Sequence, residues 1–226
     1  MKPHLVVLTG AGMSAESGLK TFRDADGLWE GHEVTEVATP QAFERNPELV
    51  LEFYNQRRRQ LMDVSPNKAH KDLAELENDF DITIVTQNVD DLHERAGSSN
   101  VIHLHGELLK ARSSGNDYDI KAWTNDIALG DTCEKGHQMR PHIVWFGEAV
   151  PMIEKAIQIC TKADILVIIG TSMQVYPAAS LIHYVPKHIE VFYIDPNPTM
   201  HSRGQLTFIP KTATQGLEDL KALLKQ

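Results

Sequence analysis

Short apolar runs rich in β-branched residues recur at residues 5–8, 82–85, 101–104, 143–146, 165–169 and 191–194. Between them lie stretches with apolar residues at helical spacing. A strand covered on both faces does not alternate polar and apolar positions, so continuous apolar strands separated by helices predict a mostly parallel sheet. The expected fold is α/β, a Rossmann-like, mostly parallel sheet with helices on both faces. Ligands on such sheets bind beyond the carboxyl ends of the strands. Gly10, Asn88, His105, Gly170 and Asp195 all stand at or just past the end of a run.

Residues 30–65 and 107–140 do not fit the sheet and read as insertions that pack together as a smaller domain. In the first, which is helical in character, Pro40 suits a first turn and residues 48–62 are long enough for several turns. The second is polar and broken by Ser113-Ser114-Gly115-Asn116 and Gly130-Asp131. The predicted organisation is a Rossmann-like domain from residues 1–29, 66–106 and 141–226, a small inserted domain from 30–65 and 107–140, and a substrate cleft between them.

Composition narrows the partners. At 226 residues the chain can bury a sizeable core. Its formal net charge of −9 disfavours broad attraction to nucleic acid or anionic membrane. No apolar stretch is long enough to span a bilayer, and the opening Met-Lys-Pro-His lacks the apolar core of a secretory signal. Two cysteines, Cys133 and Cys160, make no disulfide framework. These features predict a cytoplasmic protein without nucleic-acid or membrane partners, expected to be a monomer.

Candidate chemistry begins at Thr9-Gly10-Ala11-Gly12-Met13-Ser14-Ala15-Glu16-Ser17-Gly18. Gly10 and Gly12 let the backbone turn tightly and approach a ligand, and a following helix would aim free N–H groups at a pyrophosphate. Glycines placed for steric reasons alone are the alternative. His105, one of 11 histidines, follows a strand and precedes a glycine, which suits a general base acting near neutral pH. Asn88 and Asp90 read, from the residues alone, as turn residues capping a helix. Arg23 is either a phosphate contact or a solvated helix-end charge. On a helix, Tyr54 and Arg57 share a face and can converge on one group, Arg57 gripping a carboxylate with two N–H bonds while the Tyr54 hydroxyl donates a third. Arg58 and Arg59 read as a solvated basic face.

Five segments occur in order: Phe22-Arg23-Asp24-Ala25-Asp26-Gly27-Leu28-Trp29, Thr86-Gln87-Asn88-Val89-Asp90, His103-Leu104-His105-Gly106, Val144-Trp145-Phe146-Gly147-Glu148 and Gly170-Thr171-Ser172. Together they closely resemble the sirtuin family of NAD-dependent protein deacylases, over residues 6–220. The resemblance implies NAD as cofactor, held by Gly10, Ala11, Gly12, Ser14, Glu16, Phe22, Arg23, Trp29, Gln87, Asn88, Asp90, Gly170, Thr171, Ser172, Asp195, Asn197 and Ala213. Within that set, Phe22 would cover the nicotinamide, Asp90 would bind its carboxamide, Asn88 would hold its ribose or an ordered water, and Gln87 would reach a ribose hydroxyl. The general base would be His105 rather than His103, which alternation along the strand is expected to turn to the other side. Two departures stand out: Lys20 replaces a frequent proline, and Asp195 a common asparagine.

The resemblance also implies acyl-lysine proteins or peptides as substrates, with Val144, Phe146, Gly147 and Glu148 offering a strand edge to the peptide. Tyr54 and Arg57 match the tyrosine-x-x-arginine signature of sirtuins that remove succinyl and malonyl groups, and Ala38 resembles the small residue that widens their acyl pocket. Desuccinylase and demalonylase activity is therefore expected, with deacetylase activity slower. The acyl-lysine oxygen would attack the anomeric carbon, nicotinamide would leave, and His105 would deprotonate a ribose hydroxyl on the way to free lysine and O-acyl-ADP-ribose.

Most sirtuins hold a zinc with two C-x-x-C pairs, but here Ser113 and Asn116 lie where the first pair would be. Only Cys133, with His137 four residues later, remains near the second, so no metal is expected. The small module is then expected to be held by apolar contacts among Leu108, Ile120, Trp123, Ile127 and Leu129. The alternatives are a protein ADP-ribosyltransferase or NAD glycohydrolase, and a non-catalytic NAD or ADP-ribose sensor. An ordinary dehydrogenase is disfavoured, because no acidic residue sits clearly at the end of the second strand to bind the adenosine ribose.

Overall fold

A computed structural model describes residues 2–20, 31–197 and 205–224. The strands β1 (His4–Thr9), β2 (Asp81–Thr86) and β3 (Val101–His103) belong to a six-stranded sheet with β7 (Ile165–Ile169), β8 (Glu190–Ile194) and β9 (Leu206–Ile209). All five pairings are parallel, in the order β3-β2-β1-β7-β8-β9. The order reverses between β1 and β7, and that reversal opens a crevice at their carboxyl ends.

Alternation along each strand splits the core in two. Leu5, Val7, Ile82, Ile84, Val167 and Ile169 pack with α5 (Lys68–Leu76) and α8 (Ala213–Leu223). Val6, Leu8, Val85, Leu166 and Ile168 face α7 (Ile153–Cys160) and the 3-10 turn Ala178–His183. Each side chain removed from water in this way contributes roughly 1.5–3 kcal/mol.

A second sheet is antiparallel, in the order β5-β4-β6, from β4 (Gly106–Ser113), β5 (Asn116–Ala122) and β6 (Met139–Ile143). Helices α2 (Val34–Val37), α3 (Pro40–Arg45) and α4 (Pro47–Asp63) lie beside it. Pro40 opens α3 behind the cap Thr39, whose side chain accepts from the Ala42 N–H. The remaining helices are α1 (Ala11–Ala15) and α6 (Leu92–Ala96).

Three expectations need correction. The run 143–146 is not a strand of the parallel sheet: only Ile143 is in a strand, as the last residue of β6, because Val144 and Phe146 give their N–H groups to the carbonyls of His105 and Ala38. A domain boundary at 140/141 would therefore cut β6 in two. The sixth parallel strand is instead β9, whose half-exposed Leu-Thr-Phe-Ile gives a weak apolar signal. Of the apolar contacts expected to hold the small module, Leu108 and Ile127 are buried, but Ile120 and Leu129 are exposed.

Candidate active site

The crevice is lined by β1 and β7 and the turns that follow them. A Cβ on Gly10 would sit 2.7 Å from Thr171 Cβ, one on Gly12 2.7 Å from Gly170 Cα, and one on Gly170 2.4 Å from the Met13 nitrogen. The two turns thus touch backbone to backbone, which accounts for all three glycines sterically. The Gly12 N–H donates to the Gly170 carbonyl at 2.8 Å, and Met13 N–H to Gly10. With α1 only five residues long, the expected array of free N–H groups is smaller than a full helix end would supply. Ala11 is half-buried at the start of α1.

At the end of β2 the expected polar residues converge on that loop. Ser14 donates its only hydroxyl hydrogen to Asp90 Oδ2 at 2.9 Å, so it must accept from Asn88 Nδ2 at 3.0 Å. This fixes the Asn88 amide with its nitrogen inward and its oxygen on the opposite side. Asp90 Oδ1 accepts from the Leu92 N–H. Burial nevertheless outweighs these donors and raises the Asp90 pKa. Gln87 Nε2 donates to Thr171 Oγ1 at 3.0 Å, tying the β2 exit to the β7 exit. Tyr193, which the sequence reading passed over, holds the Thr171 carbonyl at 2.7 Å.

Two histidines stand side by side on consecutive carbonyls. His105 is half-buried, with Nδ1 at 3.1 Å from the Gln87 carbonyl. A carbonyl only accepts, so Nδ1 carries the hydrogen and Nε2 is left as a basic lone pair. Burial lowers the His105 pKa against the opposing pull of that carbonyl, which keeps the ring neutral near pH 7. His103 places Nδ1 at 3.0 Å from the Asn88 carbonyl and Nε2 at 2.8 Å from Glu94. Both partners accept, which favours the imidazolium form of His103; burial lowers its pKa but Glu94 outweighs it and the net shift is upward. Residues two apart on a strand share a face. What separates the two rings is that β3 ends at His103 and each ring takes a different carbonyl. Gly106 follows with φ +84°, and a Cβ there would lie 2.0 Å from the His142 carbonyl oxygen, so glycine is required on both counts.

On the other side of the crevice, Asp195 is buried just past β8 and accepts the Asn197 N–H at 2.8 Å. Asn197 is exposed, Ser172 half-buried, and Ala213 buried at the first turn of α8. Glu16 departs from its expected part: its carboxylate accepts from Thr212 and Thr214, including the Thr214 N–H at 2.9 Å, and so caps α8. Phe22, Arg23 and Trp29 lie outside the described residues.

Ala38, Tyr54 and Trp145 share one buried cluster under α4. Tyr54 is fully buried, and its hydroxyl accepts from Trp145 Nε1 at 3.0 Å. Arg57 lies over Phe53, 5.8 Å from the ring centroid. Beside it is a cavity of about 190 Å³ lined by Phe53, Gln56, Arg57 and Gln60, which Tyr54 does not line. Arg58 is not solvated: it is wholly buried, donating to the Leu108 carbonyl and Asn55 Oδ1, and burial lowers its pKa to about 10. The helical period places it with Leu51, Tyr54, Asn55 and Leu61, a signal available in the sequence. Arg59 is exposed and pairs with Glu52 and Asp126.

Phe146 is exposed, and Gly147 beside it has a left-handed φ of +91°. The Val144 and Phe146 N–H groups already have carbonyl partners, so they are not available to an added strand. Glu148, expected at the peptide, turns inward. Its carboxylate accepts from Arg112, Arg140 and the Trp145 N–H. Arg112 and Arg140 stand directly opposite one another on β4 and β6, a repulsive pair that this carboxylate compensates.

In the zinc region, Ser113 donates to Cys133 Sγ at 3.3 Å and the His137 ring abuts Gly115. Among the described residues, no group of three or more His, Cys, Asp or Glu side chains converges as a metal site would require. Nor is any described helix long and apolar enough to cross a membrane.

A doubly covered parallel sheet, glycine turns meeting at its switch point and a neutral histidine beside them define a nucleotide-binding α/β protein with a base at its crevice. Residues 10–177 match the Sir2 family, and the chain belongs to that family. It is 55% identical to an NAD-dependent protein deacylase of Bacteroides thetaiotaomicron, over 98% of this chain and 97% of that protein. It is 56% identical to one from Helicobacter pylori, over 96% and 95%. A crystal structure of a Sir2 homologue with NAD superposes with a TM-score of 0.88 at 38% identity, covering 99% of this chain and 90% of that one.

Proposed function

We propose that this chain is an NAD-dependent protein-lysine deacylase of the sirtuin type, with acyl groups that end in a carboxylate, succinyl and malonyl, preferred over acetyl. The observation that carries the reaction is His105: its hydrogen is committed to the Gln87 carbonyl, so its other nitrogen is the base. The crevice fits NAD, since glycine edges with no room for a Cβ leave main chain to approach a pyrophosphate. Bound NAD would supply the electrophilic anomeric carbon and the nicotinamide leaving group. Gly10, Ala11, Gly12, Gly170, Thr171 and Ser172 would hold its phosphates and adenosine, with Asp195, Asn197 and Ala213 at the far end. Asn88, oriented by Ser14, and Asp90 would position the nicotinamide end, and Gln87 the ribose. The protein's part is orientation, water exclusion and removal of one proton by His105.

The acyl preference rests on Arg57. A guanidinium lining a small cavity offers paired N–H donors that a carboxylate tail can accept and a methyl group cannot. Ala38 leaves room for the longer chain. A cytoplasmic monomer with a zinc-less small module completes the reading; one zinc per purified chain would refute the last point.

The test is product analysis by mass spectrometry with NAD and a peptide carrying acetyl-, succinyl- or unmodified lysine. Rapid succinyl removal with a matching acyl-ADP-ribose, abolished by His105→Ala and selectively weakened by Arg57→Met, is expected. ADP-ribose attached to the peptide with no lysine freed would favour a transferase instead.

A further inference from the structure

The turn after β2 is held carbonyl by carbonyl. The Gln87 N–H donates to the Thr9 carbonyl at 2.9 Å, and the Val89 carbonyl accepts from the Leu108 N–H at 2.8 Å. Between them the Gln87 carbonyl takes His105 and the Asn88 carbonyl takes His103. Asn88 is therefore fixed at three points: its N–H on Thr86 Oγ1 at 2.9 Å, its amide on Ser14 and its carbonyl on His103. The third of these is anchored from outside the turn, because His103 Nε2 lies 2.8 Å from Glu94 Oε1 on α6 and the His103 side chain is only 7% exposed. A neutral imidazole has one hydrogen for these two acceptors, whereas an imidazolium has one for each. Burial lowers the His103 pKa, but Glu94, the Asn88 carbonyl and Glu107 on β4 together raise it further than burial depresses it. Asp90 on the same turn and His93 on α6 also feel its charge, and Lys110 on β4 acts on Glu94.

We propose that His103 is a positioning residue for the nicotinamide end of NAD: anchored by Glu94, it holds the Asn88 carbonyl and with it the turn that carries Asn88 and Asp90. This rests on the nicotinamide role proposed above for those two residues. The hold is complete only while both ring nitrogens carry hydrogen. When the ring loses a proton, the remaining hydrogen stays with Glu94, because a charged acceptor makes the stronger bond, and the Asn88 carbonyl is released. With a folded pKa above 6.5, the hold is full below 6.5 and is lost as pH rises through the higher folded value.

The KM for NAD is measured with whichever acyl-lysine peptide is turned over faster, held saturating. His103→Ala should raise it about five- to tenfold, while the affinity for ADP-ribose, which has no nicotinamide, stays within about twofold by calorimetry. Equal losses for NAD and ADP-ribose would mean that the ring supports the fold and nothing more. In wild type the KM for NAD should rise between pH 6.5 and pH 9.5 without a matching loss of ADP-ribose affinity. Glu94→Gln should flatten that rise, since its amide can donate to His103 Nε2 and leave the ring hydrogen on Nδ1. A flat wild-type profile, or an equal rise in Glu94→Gln, would overturn the role, and both measurements stand even where His103→Ala does not fold. Asp90→Asn separates this inference from the reading beneath it. If Asp90→Asn weakens NAD but not ADP-ribose while His103→Ala leaves NAD untouched, this inference alone fails. If Asp90→Asn also leaves the KM for NAD untouched, the turn does not hold nicotinamide and both fail.

Discussion

Behind the glycine loop lies a buried histidine pair that should make the protein sensitive to acid. His70 on α5 and His93 on α6 are both buried, with ring centroids 4.9 Å apart at 62°. His93 reaches Thr9 Oγ1 at 3.2 Å, but no hydrogen-bond partner among the described residues reaches either ring nitrogen of His70. Burial lowers the His70 pKa to about 4 from 6.5, against a small opposing pull from Glu94. A histidine with a depressed folded pKa binds protons more readily when unfolded, so acid favours unfolding across the interval between the two values. Above pH 6.5 both states are neutral and His70 has no effect. The gap from 6.5 to about 4 amounts to about 3 kcal/mol when fully developed, and about 2 kcal/mol of it is reached at pH 5. Urea unfolding of wild type and His70→Phe at pH 7.5 and pH 5 measures this directly. The replacement keeps an aromatic ring against His93 and removes the titration. Wild type should lose about 2 kcal/mol more than the variant between the two pH values. Parallel losses would mean that His70 is solvated or partnered in the folded state, and the argument from burial would fall.

A base whose pKa is lowered by burial stays deprotonated in mild acid. The acid limb of kcat/KM for His105 should therefore fall below the ordinary histidine value of 6.5, and a pH–rate profile that declines from above 7 would contradict this. Glu148→Gln would leave Arg112 and Arg140 facing each other across β4 and β6 with one neutral acceptor. A loss of about 3 kcal/mol in urea stability is expected, and a change below about 1 kcal/mol would mean that solvent screens the cluster. Gly12→Ala would push a methyl group onto the Gly170 main chain, where neither backbone can yield cheaply. NAD affinity by calorimetry should drop at least tenfold, and an unchanged affinity would show that the two turns can separate.

What the sequence made visible was what repeats locally. Strands β1, β2, β7 and β8 are continuous apolar runs because both their faces are covered, and the chemistry-bearing residues stand at their ends. The long helix α4 showed in the length of the helical stretch 48–62; its start at Pro47, behind Asn46 whose side chain accepts the Leu49 N–H, came from the structure. What stayed hidden depends on distant partners. Glu148 follows an apolar run and looks like an exposed exit residue, yet its partners Arg112 and Arg140 come from two strands of the other sheet. Glu16 belongs to the glycine loop by position and to α8 by contact. His103 and His105 look equivalent as letters; the acceptors available to each ring, Glu94 for one alone, raise the pKa of one while burial lowers that of the other.

The arrangement also explains how one short segment can serve two ends of the reaction. Val144 donates to the His105 carbonyl at 2.9 Å, and Phe146 to the Ala38 carbonyl at 3.0 Å. The segment therefore joins His105, the proposed base, to the buried Ala38, while Trp145 between them donates to Tyr54. A side chain within such a bridge cannot shift without disturbing the main chain at His105 or at Ala38. The Arg112–Glu148–Arg140 cluster is the part that keeps the bridge in one place, which argues that the buried charges are retained for position rather than for stability. A Glu148→Gln variant that still folds should thus lose selectivity between succinyl and acetyl peptides before it loses turnover. Proportionate loss on both peptides would show that the cluster supports the fold and nothing more.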